Sequence, residues 1–142
     1  MKILMAHDGS KQADLALKRA MHLASKMNAS LVVISVIPDL FTDFYMMDIS
    51  DGESQSLSRA MAENTNRFMA GISEALAKSG LEVATKVIFG SPAKTIIDIA
   101  KSEKVDMIVL GSHGRTGPAK FLLGSVTSRV VEHAPCDVLV VR

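Results

Sequence analysis

The sequence predicts an α/β fold built on a parallel sheet with helices on both faces. Short apolar, β-branched runs alternate with longer segments whose apolar residues recur at helical spacing. The second, fourth and fifth runs are continuously apolar, as expected of strands buried on both faces. The third run alternates, which is typical of an edge strand. The length of 142 residues fits one domain, spanning 1–142.

The first half of the chain supplies three predicted strands and two helices. Residues 2–7 form an apolar run, and 11–27 have one apolar helical face built on alanine, leucine and methionine. Residues 31–37 are apolar and end at a proline, which predicts a second strand. Apolar residues at helical spacing over 57–76 mark a long helix, and 81–89 alternate as a third strand.

The second half supplies two more helices and two more strands. Ser91 and Pro92 suit a helix cap and a first helical position. Residues 106–110 are predicted to form the fourth strand and 138–141 the last. Between them, a glycine-bearing loop leads to a helix that Ser125 is predicted to cap.

Composition excludes several classes of protein. Hydrophobic residues make up 48% and charged residues 22%, which indicates a packed globular domain. The net charge of +1 argues against a nucleic-acid binder with a broad basic surface. One cysteine excludes an intrachain disulfide framework and a multi-cysteine metal site. No uninterrupted apolar run approaches roughly 18 residues and no signal peptide is evident, so we expect no membrane insertion and a cytoplasmic location.

A ligand crevice is predicted where the first and fourth strands end. The first strand runs into Asp8-Gly9-Ser10, and the fourth into Gly111-Ser112-His113-Gly114. In an open parallel sheet, ligands bind beyond the carboxyl ends of the strands, at the point where the strand order reverses. If these strands are neighbours there, Asp8 and the glycine loop face one crevice.

The loop itself has the parts of a phosphate cradle. Gly111 and Gly114 allow close approach of the backbone, and the helix that opens at Ser125 offers free N–H groups to an anion. Arg115 and Lys120 add positive charge. The alternative is that these glycines only form turns. Neither the P-loop pattern nor the tight dinucleotide-binding pattern is present.

The spacing Gly111-x2-Gly114-x9-Gly124-Ser125 resembles the nucleotide-binding signature of the universal stress protein family. The likeness covers the whole chain, including the helix start at residues 90–93 and the ending at 134–142. It implies a Rossmann-like fold of the adenine nucleotide alpha hydrolase type, with strand order 3-2-1-4-5. It also implies ATP as ligand, with Mg²⁺ or Mn²⁺ as a possible companion.

By position, the resemblance assigns ten binding residues and no catalytic or metal-binding residue. They would contact adenine or ribose (Ala6, Asp8, Val36), ribose and phosphates (Leu110, Gly111, His113, Gly114), or the phosphates alone (Gly124, Ser125, Val126). His113 is equally open to ligand contact and to packing within the loop.

The resemblance further implies a homodimer that pairs through the last strand, Val138 to Val141. The leading hypothesis is therefore a stress-response protein that binds ATP and acts as a nucleotide-dependent regulatory module with an unknown protein partner. A slow ATPase or phosphotransferase using Asp8 and His113 is an alternative. A nucleotide-free dimer acting through the aromatic and methionine-rich segment 38–51 is another, because that segment suits either a lid, a partner surface or simple packing. A phosphate-accepting receiver domain is disfavoured, because Asp8 is the lone acidic residue where the first strand ends.

Overall fold

The computed structural model describes residues 1–39, 51–114 and 123–142. In these ranges, five parallel strands form one sheet of order β3-β2-β1-β4-β5. This confirms the predicted fold class and strand order. The strands are β1 (Lys2–Ala6), β2 (Ser30–Ile37), β3 (Val83–Phe89), β4 (Met107–Gly111) and β5 (Asp137–Val141).

Helices cover both faces of the sheet, as predicted. Those in the described ranges are α1 (Lys11–Met27), α2 (Asp51–Ala77), α3 (Pro92–Ser102) and α4 (Ser125–His133). Helices α1 and α2 supply one apolar cluster with alternate residues of β1, such as Ile3 and Met5. Helices α3 and α4 supply the other, with Leu4 of the same strand. The two-residue period of a strand therefore decides which layer each β1 side chain joins.

Two helix starts differ from the prediction. Gly124, not Ser125, is the N-cap of α4, and Ser125 is its first helical residue, so the predicted cap is wrong by one position. Helix α2 begins at Asp51, earlier than the apolar pattern over 57–76 indicates. Ser91 is confirmed at the N-cap of α3, although its side chain makes no capping hydrogen bond.

Two predicted features lie largely or wholly outside the described residues. They are the aromatic segment 38–51, of which 40–50 are not described, and the basic pair Arg115 and Lys120. Within the described ranges, no helix combines the length and apolarity that a membrane span requires.

Candidate functional site

A tight turn after β1 presents the carboxylate of Asp8. One oxygen, Oδ1, accepts the backbone N–H of Ser10 at 3.0 Å, and Gly9 between them adopts a φ of 83°. That left-handed conformation favours glycine. The hydroxyl of Ser10 in turn accepts the N–H of Ala13 at 3.1 Å and caps α1. The turn and the helix start are thus one hydrogen-bonded unit, with the Asp8 residue exposed.

The loop after β4 meets this turn directly. Strands β1 and β4 are neighbours, with Ile3 opposite Met107 and Met5 opposite Val109. At the end of β4, a Cβ built on Gly114 would lie 2.7 Å from Oδ2 of Asp8, closer than real side chains approach. The predicted meeting of Asp8 and the glycine loop is confirmed.

Two hydrogen bonds tie the start of α4 to the end of β4, and a third ties the end of β4 to β5. Gly124 N–H donates to the Ser112 carbonyl at 2.8 Å, and Ser112 N–H donates to the Val141 carbonyl at 2.8 Å. The buried Thr127 hydroxyl donates to the Gly111 carbonyl at 2.9 Å. The helix N-terminus is therefore fixed beside the crevice.

The chemistry of this helix end suits an anion. Its N-cap is a glycine, so no side chain caps the first turn, and α4 has no acidic residue in that turn. The first N–H groups of a helix lack intrahelical partners and carry partial positive charge. Ser125 and Val126 contribute N–H groups of this kind, at positions that the sequence predicts for phosphate contact.

An apolar wall lies on the same side of the sheet. Leu110 is buried in the cluster formed with α3 and α4, and Ala6, Val36 and Val126 pack against that cluster while remaining partly exposed. Asp8 follows Ala6 by two residues, in the turn after β1, and its Oδ2 faces Gly114. The structure therefore places the predicted adenine-side residues and the carboxylate at the carboxyl ends of neighbouring strands.

His113 lies in the loop between Gly111 and Gly114 and is half-buried. Its Nδ1 lies 3.1 Å from the Ser112 hydroxyl. A Cβ on Gly124 would come 3.4 Å from the Cα of His113, so the loop folds back on itself at this residue. His113 thus has a contact within the loop while the residue stays partly exposed.

Sequence reasoning assigned Gly111 to the ligand side of the loop, and it missed Thr127 and His7. The space left by the missing side chain of Gly111 faces α1, since a Cβ there would lie 2.9 Å from the Gln12 carbonyl carbon. Thr127 belongs to no recognisable motif. Its position in the first turn of the helix that follows the glycines is a weak signal of a role at the site. His7 is the other missed residue, and strand alternation was sufficient to place its side chain inward.

Metal and thiol chemistry are not prominent among the described residues. In those ranges, no three His, Cys, Asp or Glu side chains are grouped as a metal site would require. Burial, assisted by Asp137 and Asp106, raises the pKa of the Cys136 thiol, which keeps it protonated at neutral pH.

Comparison with known proteins decides the family. A sequence model of the universal stress protein family matches residues 1–142. The chain belongs to the universal stress protein family. A universal stress protein from Staphylococcus haemolyticus is 36% identical over 143 residues, which cover 99% of this chain and 83% of that protein.

Solved universal stress proteins share the fold. UspA from Lactobacillus plantarum superposes with a TM-score of 0.88 at 32% identity, covering 100% of this chain and 97% of its own. A universal stress protein from Archaeoglobus fulgidus, solved in complex with dAMP, has a TM-score of 0.69 at 21% identity and covers 100% and 98%. A third universal stress protein, solved in complex with cAMP, has a TM-score of 0.73 at 23% identity. The match covers 100% of this chain and 97% of that protein. At these two lower identities, the likeness concerns the fold alone.

Proposed function

We propose that this universal stress protein binds an adenine nucleotide, ATP, in the crevice between the Asp8 turn and the start of α4. Bound nucleotide would make it a regulatory binding module in the cytoplasm rather than an efficient enzyme. The observation that carries this proposal is the contact between Gly114 and Asp8, where a Cβ would lie 2.7 Å from the carboxylate. Only a glycine lets both sides of the crevice meet in this way.

The polarity of the crevice orients the ligand. An ionised carboxylate accepts hydrogen bonds and repels phosphate, so Asp8 suits the hydroxyl groups of a ribose or the amino group of a base. The N–H groups at the start of α4 suit phosphates. Ala6, Val36 and Leu110 supply an apolar surface for the base. A nucleotide with its base toward β2 and its phosphates toward α4 satisfies all three environments.

A divalent cation, Mg²⁺ or Mn²⁺, fits this arrangement as a companion of the phosphates. One oxygen of Asp8 is engaged by Ser10 and the other faces Gly114. Since the described residues offer no acidic cluster, the ion would be held mainly by phosphate oxygens and water.

The direct test is to purify the protein, denature it and identify the released nucleotide by chromatography, then to titrate nucleotide-free protein with Mg-ATP by calorimetry. We expect bound ATP in the wild type and none in Gly114→Val. Gly71→Ala is the matched control, because Gly71 is exposed and a Cβ there meets nothing within 4 Å. ADP formed in proportion to enzyme would favour a slow ATPase. Absence of binding by the wild type would refute the proposal.

We also propose a homodimer that pairs through β5. This strand is an edge of the sheet in the described structure, and Val138 to Val141 are all partly exposed. Unpaired N–H and C=O groups on an apolar edge favour pairing with another strand. A second copy offers an identical edge, which a two-fold axis makes self-complementary.

A further inference from the structure

The side chain of His7 lies on the opposite face of β1 from the crevice, one residue before Asp8. It is 0% exposed and packs against Phe68 of α2, with ring centroids 4.8 Å apart and planes tilted by 57°. Its backbone N–H donates to the Ile34 carbonyl of β2 at 2.8 Å. The proposed nucleotide contacts do not use this buried ring.

The hydrogen bonds of His7 define its protonation. Nδ1 accepts the backbone N–H of Gly9 at 3.0 Å. A backbone N–H can only donate, so Nδ1 carries no proton and the hydrogen of the neutral ring is on Nε2. Nε2 lies 3.2 Å from Oδ1 of Asp14 but is not aligned for a hydrogen bond, and among the described residues it has no hydrogen-bond acceptor.

The His7 ring stabilises the turn that carries Asp8 through its hydrogen bond with Gly9. Gly9, which His7 holds, is the residue directly after Asp8 and adopts the left-handed φ of 83°. Asp8 holds the next residue, Ser10, through its own Oδ1. Two successive side chains thus each fix the N–H two residues ahead. A proton on Nδ1 would place two N–H donors against each other at the Gly9 contact.

We propose that His7 is a positioning residue for the crevice: its neutral ring holds the Asp8 turn in the binding geometry, and protonation at Nδ1 releases that turn. This inference rests on the proposed function, because the turn carries the carboxylate that faces the nucleotide. Nucleotide affinity should therefore fall as the medium becomes acidic.

The surroundings of the ring set the direction of this effect. The charged groups that act on it are Asp14 from α1 and Asp8 from its own turn, while Phe68 from α2 and Ile34 from β2 are uncharged. Burial is the largest influence and lowers the pKa of His7 from its ordinary 6.5, and the two carboxylates oppose this in part. The ring is thus neutral at pH 7, and the turn is released only at a pH below about 6.5.

The test compares ATP dissociation constants at about pH 7.5 and at a series of lower pH values down to about 5, because burial holds the pKa of His7 below its ordinary 6.5. His7→Asn keeps an acceptor for the Gly9 N–H, since asparagine commonly bonds the N–H two residues ahead, and it does not titrate in this range. We expect it to retain wild-type affinity at the higher pH. Relative to this variant, wild-type affinity should fall by about threefold to tenfold at the lowest pH, as for one lost hydrogen bond. The ratio cancels titration of the ATP phosphates.

Two further variants test whether the pH dependence arises from His7 itself. In His22→Asn, an exposed position on α1, the wild-type pH dependence should persist, because the effect does not arise from another histidine. In Asp14→Asn, loss of a carboxylate that raises the pKa of His7 should move the onset to lower pH. Asp14 is 59% exposed, so this substitution leaves the core intact. Equal pH dependence in His7→Asn and the wild type would overturn the inference.

A second readout needs no nucleotide and separates this inference from the proposed function. The hydrogen-exchange protection factor of the Gly9 amide should fall on acidification in the wild type and stay constant in His7→Asn. If ATP does not bind at any pH but the Gly9 amide loses protection in this way, the proposed function is wrong and the positioning role of His7 stands. A Gly9 protection factor that is unchanged by pH in the wild type would refute that role.

Discussion

Gly111 packs against Gln12, and a Cβ on the glycine would lie 2.9 Å from the Gln12 carbonyl carbon and 3.1 Å from the Ala13 nitrogen. Gly114, three residues later, instead leaves room for the Asp8 carboxylate. The two glycines of one motif therefore lack a side chain for different reasons. Gly111 lets α1 begin close to β4, whereas Gly114 shapes the crevice.

Gly111→Ala should therefore lower stability. Because the new Cβ meets backbone atoms that cannot rotate away, we expect a loss of about 1–3 kcal/mol in the free energy of unfolding, measured by urea denaturation. Gly71→Ala should raise it by about 0.5–1 kcal/mol, because it removes a glycine from an open position inside a helix. Wild-type stability in Gly111→Ala would show that α1 can shift at this contact.

Thr127→Val should also destabilise the fold. Valine keeps the shape of threonine but removes the hydroxyl that donates to the Gly111 carbonyl at 2.9 Å. We expect a loss of about 1 kcal/mol in the free energy of unfolding. Thr127→Ser, which retains the hydroxyl, serves as the comparison. If the valine variant is as stable as the wild type, the bond does not hold α4 to β4.

Val140→Pro should separate the subunits of the proposed dimer. The Val141 carbonyl accepts from Ser112, so its backbone faces β4. Alternation along the strand then points the N–H of Val140 to the outer edge, where proline is tolerated. Light scattering should give a monomer for Val140→Pro and a dimer for the wild type.

Leu139→Pro is the matched control for this experiment. The N–H of Leu139 faces β4, so the substitution should break the sheet and lower the melting temperature. A dimeric Val140→Pro protein would place the subunit interface elsewhere.

Glu103→Gln should reduce the loss of stability in acid. Glu103 pairs with Lys86 of β3 and, at 3.4 Å, with Lys2 of β1. The hydrogen bond from Lys86 is the largest influence and lowers the pKa of Glu103 below its ordinary 4.5. A lowered carboxyl pKa stabilises the fold above about pH 4.5, and this contribution is lost as the pH falls through the folded-state value.

Urea denaturation at pH 7 and below pH 4 measures this effect. At pH 7, Glu103→Gln should lower the free energy of unfolding by no more than about 1 kcal/mol, because the lysines are partly exposed. Below about pH 4 the difference from the wild type should shrink. Glu74→Gln, which removes a solvent-exposed pair with Lys78, should behave as the wild type at both pH values. A constant difference across pH would contradict the pairing.

Much of the fold could be predicted from sequence because its signals are local. Apolar runs and helical spacing suffice for the five strands, and the family resemblance supplies their order. The start of α2 is not predicted because residues 51–56 are small or polar and show no apolar period. Serine is favoured at helix caps, which is why the sequence predicts Ser125 there, yet Gly124 already occupies the capping position.

The site was less predictable because its contacts join distant parts of the chain. The glycine spacing indicates a cradle, but the direction in which Gly111 lacks a side chain depends on where α1 packs. The inward placement of His7 follows from alternation along β1. Its bond to Gly9 depends on a turn conformation that the residue types alone leave open.

The junction of the Asp8 turn with the Gly114 loop has a thermodynamic consequence for the whole chain. Its two sides come from distant parts of the sequence and are brought together only when β1 and β4 pair. A fragment containing either side alone would lack the crevice. Ligand binding would therefore oppose global unfolding, and the melting temperature would rise with the logarithm of ligand concentration once the sites are saturated.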